Sequence, residues 1–269
     1  MTLVMGVVNV TPDSFSDGGR YATHEAAIAH GRALLADGAD LLDIGGESTR
    51  PGATRVAQDD EQARILPVIE TLAADGAVIS VDTMNAGTAA AAVAAGARIV
   101  NDVSGGLADP DMLAAVARTD ADVVVQHWRG HSDDMYGTAV YDDIVAEVVG
   151  ELAERVAAAR AAGIPDQRII VDPGFGFGKT PEQNWQVVRG LDELFGAGHR
   201  VLIGTSRKRM LAVAASAAGI ELSGEADLDL ATAVTSVLAA QAGAWAVRVH
   251  DVAATRLALA VRTAWEGEG

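Results

Sequence analysis

The chain has 269 residues, of which 49% are hydrophobic, and no Pro/Gly/Ser-rich linker or charge run divides it, so we expect a single domain over residues 1–269. The absence of cysteine excludes disulfides and thiolate metal sites. With 20 basic and 37 acidic residues, the net charge of −17 disfavours binding to nucleic acid or to an anionic membrane. The first residues do not resemble a signal peptide, and no apolar run approaches about 18 residues, so we expect a cytoplasmic protein without a membrane span.

Short apolar runs alternate with alanine-rich amphipathic stretches along the chain, a pattern typical of repeated βα units. Eight strands are predicted at Leu3–Val8, Leu41–Ile44, Val78–Val81, Ile99–Val100, Val123–Gln126, Ile169–Val171, Val201–Ile203 and Ala246–Val249. Helices are predicted at Glu25–Ala36, Asp60–Ala74, Ala86–Ala95, Met112–Arg118, Asp142–Ala162, Glu182–Phe195 and Ala253–Trp265, with two more at about Arg209–Ala218 and Leu228–Ala242. Eight units in about 250 residues predict an α/β fold, a (β/α)8 TIM barrel, rather than an open doubly wound sheet.

Polar residues stand at the ends of the predicted strands. They are Asn9, Asp43, Asp82, Asn101, His127, Asp172, Thr205 with Ser206, and Arg248 with His250. In a βα barrel these positions face one end, where the βα loops build active sites. The connections from Asn9 to Ala22 and from Gly45 to Gln58 are long and rich in Gly, Ser, Thr and Pro, as expected of loops that close over a substrate.

The segment VDPGFGFGKT, residues 171–180, leads from a strand ending on a carboxylate through a glycine-rich loop to a lysine and the next helix. It is neither a P-loop nor a dinucleotide fingerprint, because Pro173 stands where the P-loop needs glycine and its glycines follow G-x-G-x-G. We interpret it as part of a binding site, although a glycine-rich turn that only reverses the chain has the same composition.

Two kinds of polar group are expected at this end of the barrel. Arg248 and His250 alternate on the last strand and would form an anion site, or else a solvated strand end. Asp82, Asn101 and Asp172 supply acceptors and an amide, which suit a ligand with several N–H donors, such as an aminopyrimidine edge. Each of these three residues taken alone would equally fit a helix N-cap.

The histidines show no H-E-x-x-H or H-x-H pattern, which argues against a transition metal. Mg²⁺ carried by a diphosphate is compatible with the sequence, with Asn9 as a ligand. The chain has only two lysines, Lys179 and Lys208, and both follow predicted strands in glycine- or arginine-rich segments. Trp185, Trp245 and Trp265 are expected in the core or in helix packing, and Trp128 is excepted because it adjoins His127 at a strand end.

Eight motifs in chain order resemble those of the dihydropteroate synthases of the folate pathway. They are MGVVNVTPDSFSDGG (5–19), DIGGESTRPGA (43–53), SVDT (80–83), NDVSGG (101–106), HWRG (127–130), DPGFGFGKT (172–180), GTSRKR (204–209) and RVHD (248–251). The resemblance implies an eight-stranded βα barrel. It also implies condensation of 6-hydroxymethyl-7,8-dihydropterin pyrophosphate with 4-aminobenzoate, giving dihydropteroate and pyrophosphate.

The resemblance also assigns residues to roles. The pterin would be bound by Asp82, Asn101, Asp172 and Lys208, and the diphosphate with its Mg²⁺ by Asn9, Arg50, Arg248 and His250. Thr49, Pro51, Phe177, Lys208 and Arg209 would line the aminobenzoate pocket. Phe15 and Asp17 in the first loop, with Ser48 to Pro51 in the second, would close over the site, and Lys208, Asp82, Arg248, Phe15 and Asp17 would take part in catalysis.

The chain departs from many relatives in having Arg209 where they have serine and Trp128 where they have methionine. Two other functions share the pterin pocket: a methyltransferase that binds methyltetrahydrofolate, and a homologue that binds pterin without catalysis. The family further implies a homodimer, for which Leu228, Leu230, Ala231, Val234 and Val237 are candidate interface residues, unless they belong to the core.

Overall fold

The computed structural model describes residues 1–11, 19–47, 56–130 and 139–267, with residues 19–22 described by their backbone alone. The strands are β1 (Leu3–Asn9), β2 (Leu41–Gly45), β3 (Ile79–Asp82), β4 (Ile99–Asp102), β5 (Asp122–Gln126), β6 (Ile169–Asp172), β7 (Arg200–Ile203) and β8 (Ala246–Val249). The helices are α1 (Gly19–Ala36), α2 (Gln58–Ala74), α3 (Ala86–Ala94), α4 (Met112–Ala117), α5 (Ile144–Ala161), α6 (Pro181–Arg189), α7 (Leu191–Gly196), α8 (Arg209–Ala217), α9 (Glu225–Ala242) and α10 (Val252–Glu266). Within the described ranges, none of these helices has both the length and the hydropathy needed to cross a membrane.

The eight strands form a closed barrel in which neighbouring strands run parallel. Strand β1 pairs with both β2 and β8, which closes the ring. Parallel neighbours need a crossover connection, and each strand is accordingly followed by at least one helix. The predicted (β/α)8 barrel is therefore confirmed.

Several strands extend beyond the apolar runs that predict them. Strand β3 ends at Asp82 and β6 at Asp172, and the register pairs Asp82 with Asn101 and Gln126 with Asp172. Backbone pairing does not depend on side-chain polarity, so the ladder continues where the hydrophobic pattern stops. The predicted ends of β1, β2, β3, β4 and β6 are wrong by one or two residues, whereas those of β5, β7 and β8 are confirmed. Asp43 lies inside β2 rather than at its end.

The barrel interior changes from apolar to polar along the strand direction. Its floor is a cluster of buried side chains made of Met5, Leu41, Ile99, Val124, Ile170, Leu202 and Ala246. Alternate residues of a strand point to the same side, so the next inward positions form a polar layer above this floor. The polar layer contains Asp43, Asn101, Gln126, Asp172 and Arg248.

A larger apolar cluster fills the space between the barrel and its helices. It includes strand residues such as Ile44 and Val81 and helix residues such as Leu72 and Val148. Each such side chain contributes about 1.5–3 kcal/mol when it is fully buried. Apolar packing outside the barrel and on its floor therefore stabilises the scaffold.

The predicted helix Glu182–Phe195 consists of two helices, α6 and α7, which meet at Gly190. A Cβ atom at Gly190 would lie 2.5 Å from Val145 Cγ1 of α5, so a larger residue cannot pack here without displacing that helix. Gly190 has φ −102° and ψ 12°, which interrupts the helix. The prediction of one continuous helix is wrong at this point.

Candidate active site at the carboxyl end of the barrel

Asp43 lies at the centre of the polar layer and accepts three hydrogen bonds. Ser80 Oγ donates to its Oδ1 over 2.6 Å, while Asn101 Nδ2 and Arg248 Nε donate to its Oδ2 over 3.2 and 2.6 Å. The side chain is fully buried, and Arg248 compensates its charge. The sequence pattern shows Asp43 as a polar strand residue but does not by itself predict its place in the site. The available signal was a carboxylate inside an otherwise apolar strand.

Arg248 connects Asp43 to Asp82, since its Nη2 lies 2.9 Å from Asp82 Oδ2. Burial raises the pKa of Asp82 to about 7, and the Asp43 carboxylate adds to this rise while Arg248 opposes it. These ion pairs use two of the five N–H donors of the guanidinium. The side chain is 23% exposed, so its other donors can serve an anion at the barrel mouth.

His250 follows β8 directly and contacts the β7–α8 loop, residues 204–208. Its Nδ1 lies 2.8 Å from Ser206 Oγ, which also accepts a hydrogen bond from the His250 backbone N–H over 3.2 Å. Asn9 ends β1 and pairs in register with Gly45, which pairs in turn with Asp82. The predicted diphosphate residues Asn9, Arg248 and His250 thus stand at one end of the barrel, and their role as anion ligands stays a prediction.

Asn101 and Asp172 present acceptors to the same region. The donation from Asn101 Nδ2 to the Asp43 carboxylate fixes the amide orientation, because an ionised carboxylate cannot donate. Asn101 Oδ1 is buried and has no hydrogen-bond donor among the described residues, which costs about 1–3 kcal/mol unless a ligand supplies one. Burial raises the pKa of Asp172, against the hydrogen bond that Gly174 N–H donates over 2.7 Å and the charge of Lys208.

The alternative that these strand-end residues cap helices is wrong for Asp82 and Asp172. Helix α3 starts after Asn85, three residues beyond Asp82. Helix α6 is capped by Thr180, whose side chain forms a reciprocal capping box with Gln183. Neither carboxylate caps a helix, so both can contact a ligand at the barrel mouth.

Lys179 holds the glycine-rich loop, residues 173–180. Its side chain is 1% exposed, and Nζ donates to Gly174 O and Phe177 O, each over 3.1 Å. A third contact of 2.7 Å joins Nζ to His127 Nδ1. Burial lowers the pKa of Lys179 to about 7, although the Asp172 carboxylate opposes this shift. These contacts agree with the predicted role of Lys179 in holding the loop.

Lys208 reaches from the β7–α8 loop to the glycine-rich loop. Its Nζ donates to Phe175 O and lies 4.2 Å from the centroid of the Phe177 ring. Burial lowers its pKa to about 8, against the attraction of Asp172. Gly176 has φ +78°, and a Cβ atom there would lie 2.8 Å from Lys208 Cδ. The glycine therefore makes room for the lysine side chain.

Phe177 also belongs to a small apolar cluster with Val103, Met84 and Trp128, apart from the main core. Phe177 and Trp128 were singled out in the sequence, whereas Val103 and Met84 were missed because they resemble ordinary core residues. Arg209, the first residue of α8, is exposed beside Lys208. The cluster provides a surface against which a flat aromatic ring can pack.

His127, just after β5, links Lys179 to charged side chains. Its Nε2 lies 3.0 Å from Glu151 Oε2 on α5, and Arg129 Nε donates to both Glu151 oxygens over 3.0 and 3.1 Å. A charged lysine can only donate, so Nδ1 accepts and Nε2 carries the hydrogen. Burial lowers the pKa of His127 to about 4, although the nearby Glu151 carboxylate acts in the opposite direction.

We expect His127 to make the fold sensitive to acid. Its pKa is about 4 in the fold, whereas an unfolded histidine titrates at about 6.5, so the unfolded state binds more protons between these values. Stability therefore falls as the pH falls through this window, by about 3 kcal/mol. Urea unfolding between pH 7 and pH 4 should show wild type losing about this much more than His127→Asn. The same pH dependence in both proteins would contradict the assignment.

The described residues contain no group of three or more His, Asp or Glu side chains placed to hold a metal ion. Asn9 contributes one half-buried amide oxygen at the barrel mouth. Six residues singled out in the sequence lie outside the described ranges, namely Phe15, Asp17, Ser48, Thr49, Arg50 and Pro51. Their predicted roles stay predictions.

Residues 5–250 match the family described as "Pterin binding enzyme". The dihydropteroate synthase of Mycobacterium leprae (strain TN) is 48% identical to this chain over 263 residues, which cover 97% of this chain and 93% of that protein.

Solved structures are similar over the whole fold. Dihydropteroate synthase of Xanthomonas albilineans with 4-aminobenzoic acid has a TM-score of 0.89 and 49% identity, covering 98% of this chain and 93% of that one. The enzyme of the same organism in complex with 7,8-dihydropteroate has a TM-score of 0.86 and 46% identity, covering 98% and 94%. Because the family match spans residues 5–250 and these relatives align over nearly their full lengths, the chain belongs to the pterin-binding enzymes and, among them, to the dihydropteroate synthases.

Proposed function

We propose that the chain condenses 6-hydroxymethyl-7,8-dihydropterin pyrophosphate with 4-aminobenzoate to give 7,8-dihydropteroate and pyrophosphate. The observation that carries this proposal is the pairing of buried acceptors with cations at one end of the barrel. Asp82, Asn101 and Asp172 are each at most 8% exposed, and Lys208 and Arg248 stand beside them. Relatives solved with 4-aminobenzoic acid and with 7,8-dihydropteroate support it.

In the proposed complex, the pterin lies against the hydrogen-bond acceptors of the polar layer. Its amino and ring N–H groups complement Asp172 and the open Oδ1 of Asn101, and Asp82 supplies a further carboxylate. Lys208 donates to the acceptor atoms of the ring. A ligand N–H at Asn101 Oδ1 also removes the cost of leaving this acceptor unpaired.

The diphosphate is placed against Arg248, His250 and Asn9, with Arg50 closing over it. The guanidinium of Arg248 has donors beyond the two that its carboxylate partners accept. The donor set fits Mg²⁺ carried by the substrate, since this ion combines one protein oxygen, such as that of Asn9, with phosphate oxygens and water. Bound there, the ion would neutralise charge on the diphosphate.

The reaction breaks the bond between the pterin methylene carbon and the diphosphate oxygen, and the electron pair leaves with the diphosphate. The arylamine nitrogen forms the new C–N bond and loses a proton to solvent, to the departing diphosphate or to a loop carboxylate such as Asp17. Cations at the leaving group and carboxylates near the developing pterin cation both stabilise the transition state. No covalent enzyme intermediate is needed, so the protein acts by positioning and electrostatics.

The aminobenzoate is placed against the apolar cluster around Phe177. Its ring packs on Phe177 and Trp128, and its carboxylate meets Lys208 and Arg209. The family resemblance assigns Thr49 and Pro51 to the same pocket. Arg209 adds a cation at this end of the pocket.

The relative affinities of three ligands distinguish this function from that of a methyltetrahydrofolate-dependent methyltransferase. Titration calorimetry should show that the pterin diphosphate binds more tightly than 6-hydroxymethylpterin, and that methyltetrahydrofolate binds weakly. Arg248→Gln should remove most of the additional affinity that the diphosphate provides, while 6-hydroxymethylpterin should still bind. Equal affinities for the pterin with and without diphosphate would reject the proposed substrate.

We also propose that the protein is a cytoplasmic homodimer. Exposed apolar side chains recur at every fourth residue on α9, with Leu230, Val234 and Leu238 at 65%, 53% and 56% exposure. On α10 the same spacing exposes Leu257, Val261 and Trp265 at 68%, 60% and 88%. Of the residues considered for an interface, Leu228 and Ala231 pack instead against the core. Two such stripes on neighbouring helices form an apolar surface that a second copy would cover.

Sedimentation velocity at micromolar concentration should give a dimer for wild type. Leu230→Glu with Val234→Glu should shift the protein to monomer, because the two charges would be buried in the interface. If wild type sedimented only as a monomer, the proposed homodimer would be contradicted.

A further inference from the structure

Arg207, in the β7–α8 loop, has an unusual backbone conformation. Its φ is +56°, and it is the one non-glycine residue with positive φ in the described ranges. The left-handed region costs about 1–2 kcal/mol for a residue that carries a Cβ atom. Glycine would adopt this conformation without that cost. We therefore expect the Arg207 side chain to form an interaction that offsets this backbone strain.

The side chain of Arg207 supplies such an interaction with α9. Nε and Nη2 donate to Asp229 Oδ1 and Oδ2, each over 2.7 Å, and Nη1 pairs with Glu225. Asp229 is only 7% exposed, so this bidentate pair is shielded from water. The Arg207 backbone N–H donates to Thr232 Oγ1 of the same helix over 3.2 Å.

The residues on either side of Arg207 point elsewhere. Ser206 contacts His250, and Lys208 turns to Phe175 O and the Phe177 ring at the barrel mouth. The left-handed turn thus separates the contacts of Arg207 on α9 from those of its neighbours in the site. We propose that Arg207 is a positioning residue, whose ion pair with Asp229 fixes the turn that directs Lys208 to the substrate. The substrate meant here rests on the proposed function.

Arg207→Gly tests this role because glycine can keep the left-handed backbone conformation, while the side chain and its ion pairs with Asp229 and Glu225 are lost. We expect a melting temperature within a few degrees of wild type and a loss of about tenfold to a hundredfold in affinity for 6-hydroxymethylpterin and in kcat/KM. Asp229→Asn, which keeps the shape of its side chain, should produce a loss in the same direction. Asp122→Asn makes the same chemical change in an ion pair with Arg200 at the opposite end of the barrel, and it should leave pterin affinity unchanged.

A double-mutant cycle with Lys208→Ala decides how Arg207 acts. If Arg207 works through Lys208, Arg207→Gly should have little further effect on pterin affinity once Lys208 is alanine. Equal losses in both backgrounds, or wild-type affinity in Arg207→Gly, would overturn the proposal. The cycle reads binding rather than turnover, so wild type that binds pterin but forms no dihydropteroate would defeat the proposed function alone. Wild type that binds no pterin would overturn both.

Discussion

Lys208→Ala is expected to lower turnover by about a hundredfold while leaving the melting temperature within a few degrees of wild type. The lysine is half-buried at the barrel mouth, where its Nζ contacts Phe175 O and the Phe177 ring. These contacts contribute little to the core, since apolar packing stabilises the barrel. Loss of the ammonium would leave acceptor atoms of the bound pterin unpaired, at a cost of about 1–3 kcal/mol.

Lys179→Ala is the matched control, because it truncates the same type of side chain at the only other lysine in the chain. Lys179 is 1% exposed and donates to two carbonyl oxygens of the glycine-rich loop. We expect this substitution to lower the free energy of unfolding by about 2–5 kcal/mol and to affect turnover less than Lys208→Ala well below the melting temperature. Equal damage to turnover from both, or a nearly silent Lys208→Ala with normal melting, would contradict the assignment of Lys208.

Gly176→Ala is expected to lower kcat/KM by about tenfold to a hundredfold with a modest loss of stability. The new methyl group would lie 2.8 Å from Lys208 Cδ, closer than carbon atoms approach, so the flexible lysine side chain must move. The φ of +78° adds a backbone cost of about 1–2 kcal/mol. Steady-state kinetics and thermal melting of the same preparation separate the two effects.

Gly163→Ala provides the control for backbone strain. Gly163 has φ +99°, and a Cβ atom there would meet nothing within 4 Å. It should lose a similar amount of stability and keep wild-type kcat/KM. If both alanine variants kept full activity, the close approach of Gly176 to Lys208 would have no functional meaning.

The fold is predictable from the sequence because each βα unit repeats one pattern. Apolar strand runs and alanine-rich helices identify the units, and their number predicts a closed barrel. Boundaries are less predictable, as at Asp82 and Asp172, where backbone pairing continues through polar residues. The interruption between α6 and α7 at Gly190 lies where α5 approaches closely, and this contact cannot be predicted from the local sequence.

The site is only partly predictable, because some of its residues act through partners distant in sequence. Asp82, Asn101 and Asp172 at the strand ends and Lys208 before α8 can be proposed from motifs, and their roles stay predictions. The role of Asp43 as the common acceptor for Ser80, Asn101 and Arg248 appears only when four strands are assembled.

The positioning role that we infer for Arg207 likewise depends on the carboxylate of Asp229, 22 residues along the chain. The sequence does not distinguish Val103 and Met84 from core residues, because valine and methionine are common at buried positions.

The proposed function requires this pocket to join a pterin to an arylamine with loss of diphosphate. The most direct test incubates the protein with 6-hydroxymethyl-7,8-dihydropterin pyrophosphate, 4-aminobenzoate and Mg²⁺ and measures pyrophosphate and 7,8-dihydropteroate in the same sample. We predict equal molar amounts of both products, and neither product when either organic substrate is omitted. Pyrophosphate release without incorporation of the amine, or no product from the complete mixture, would contradict the proposed function.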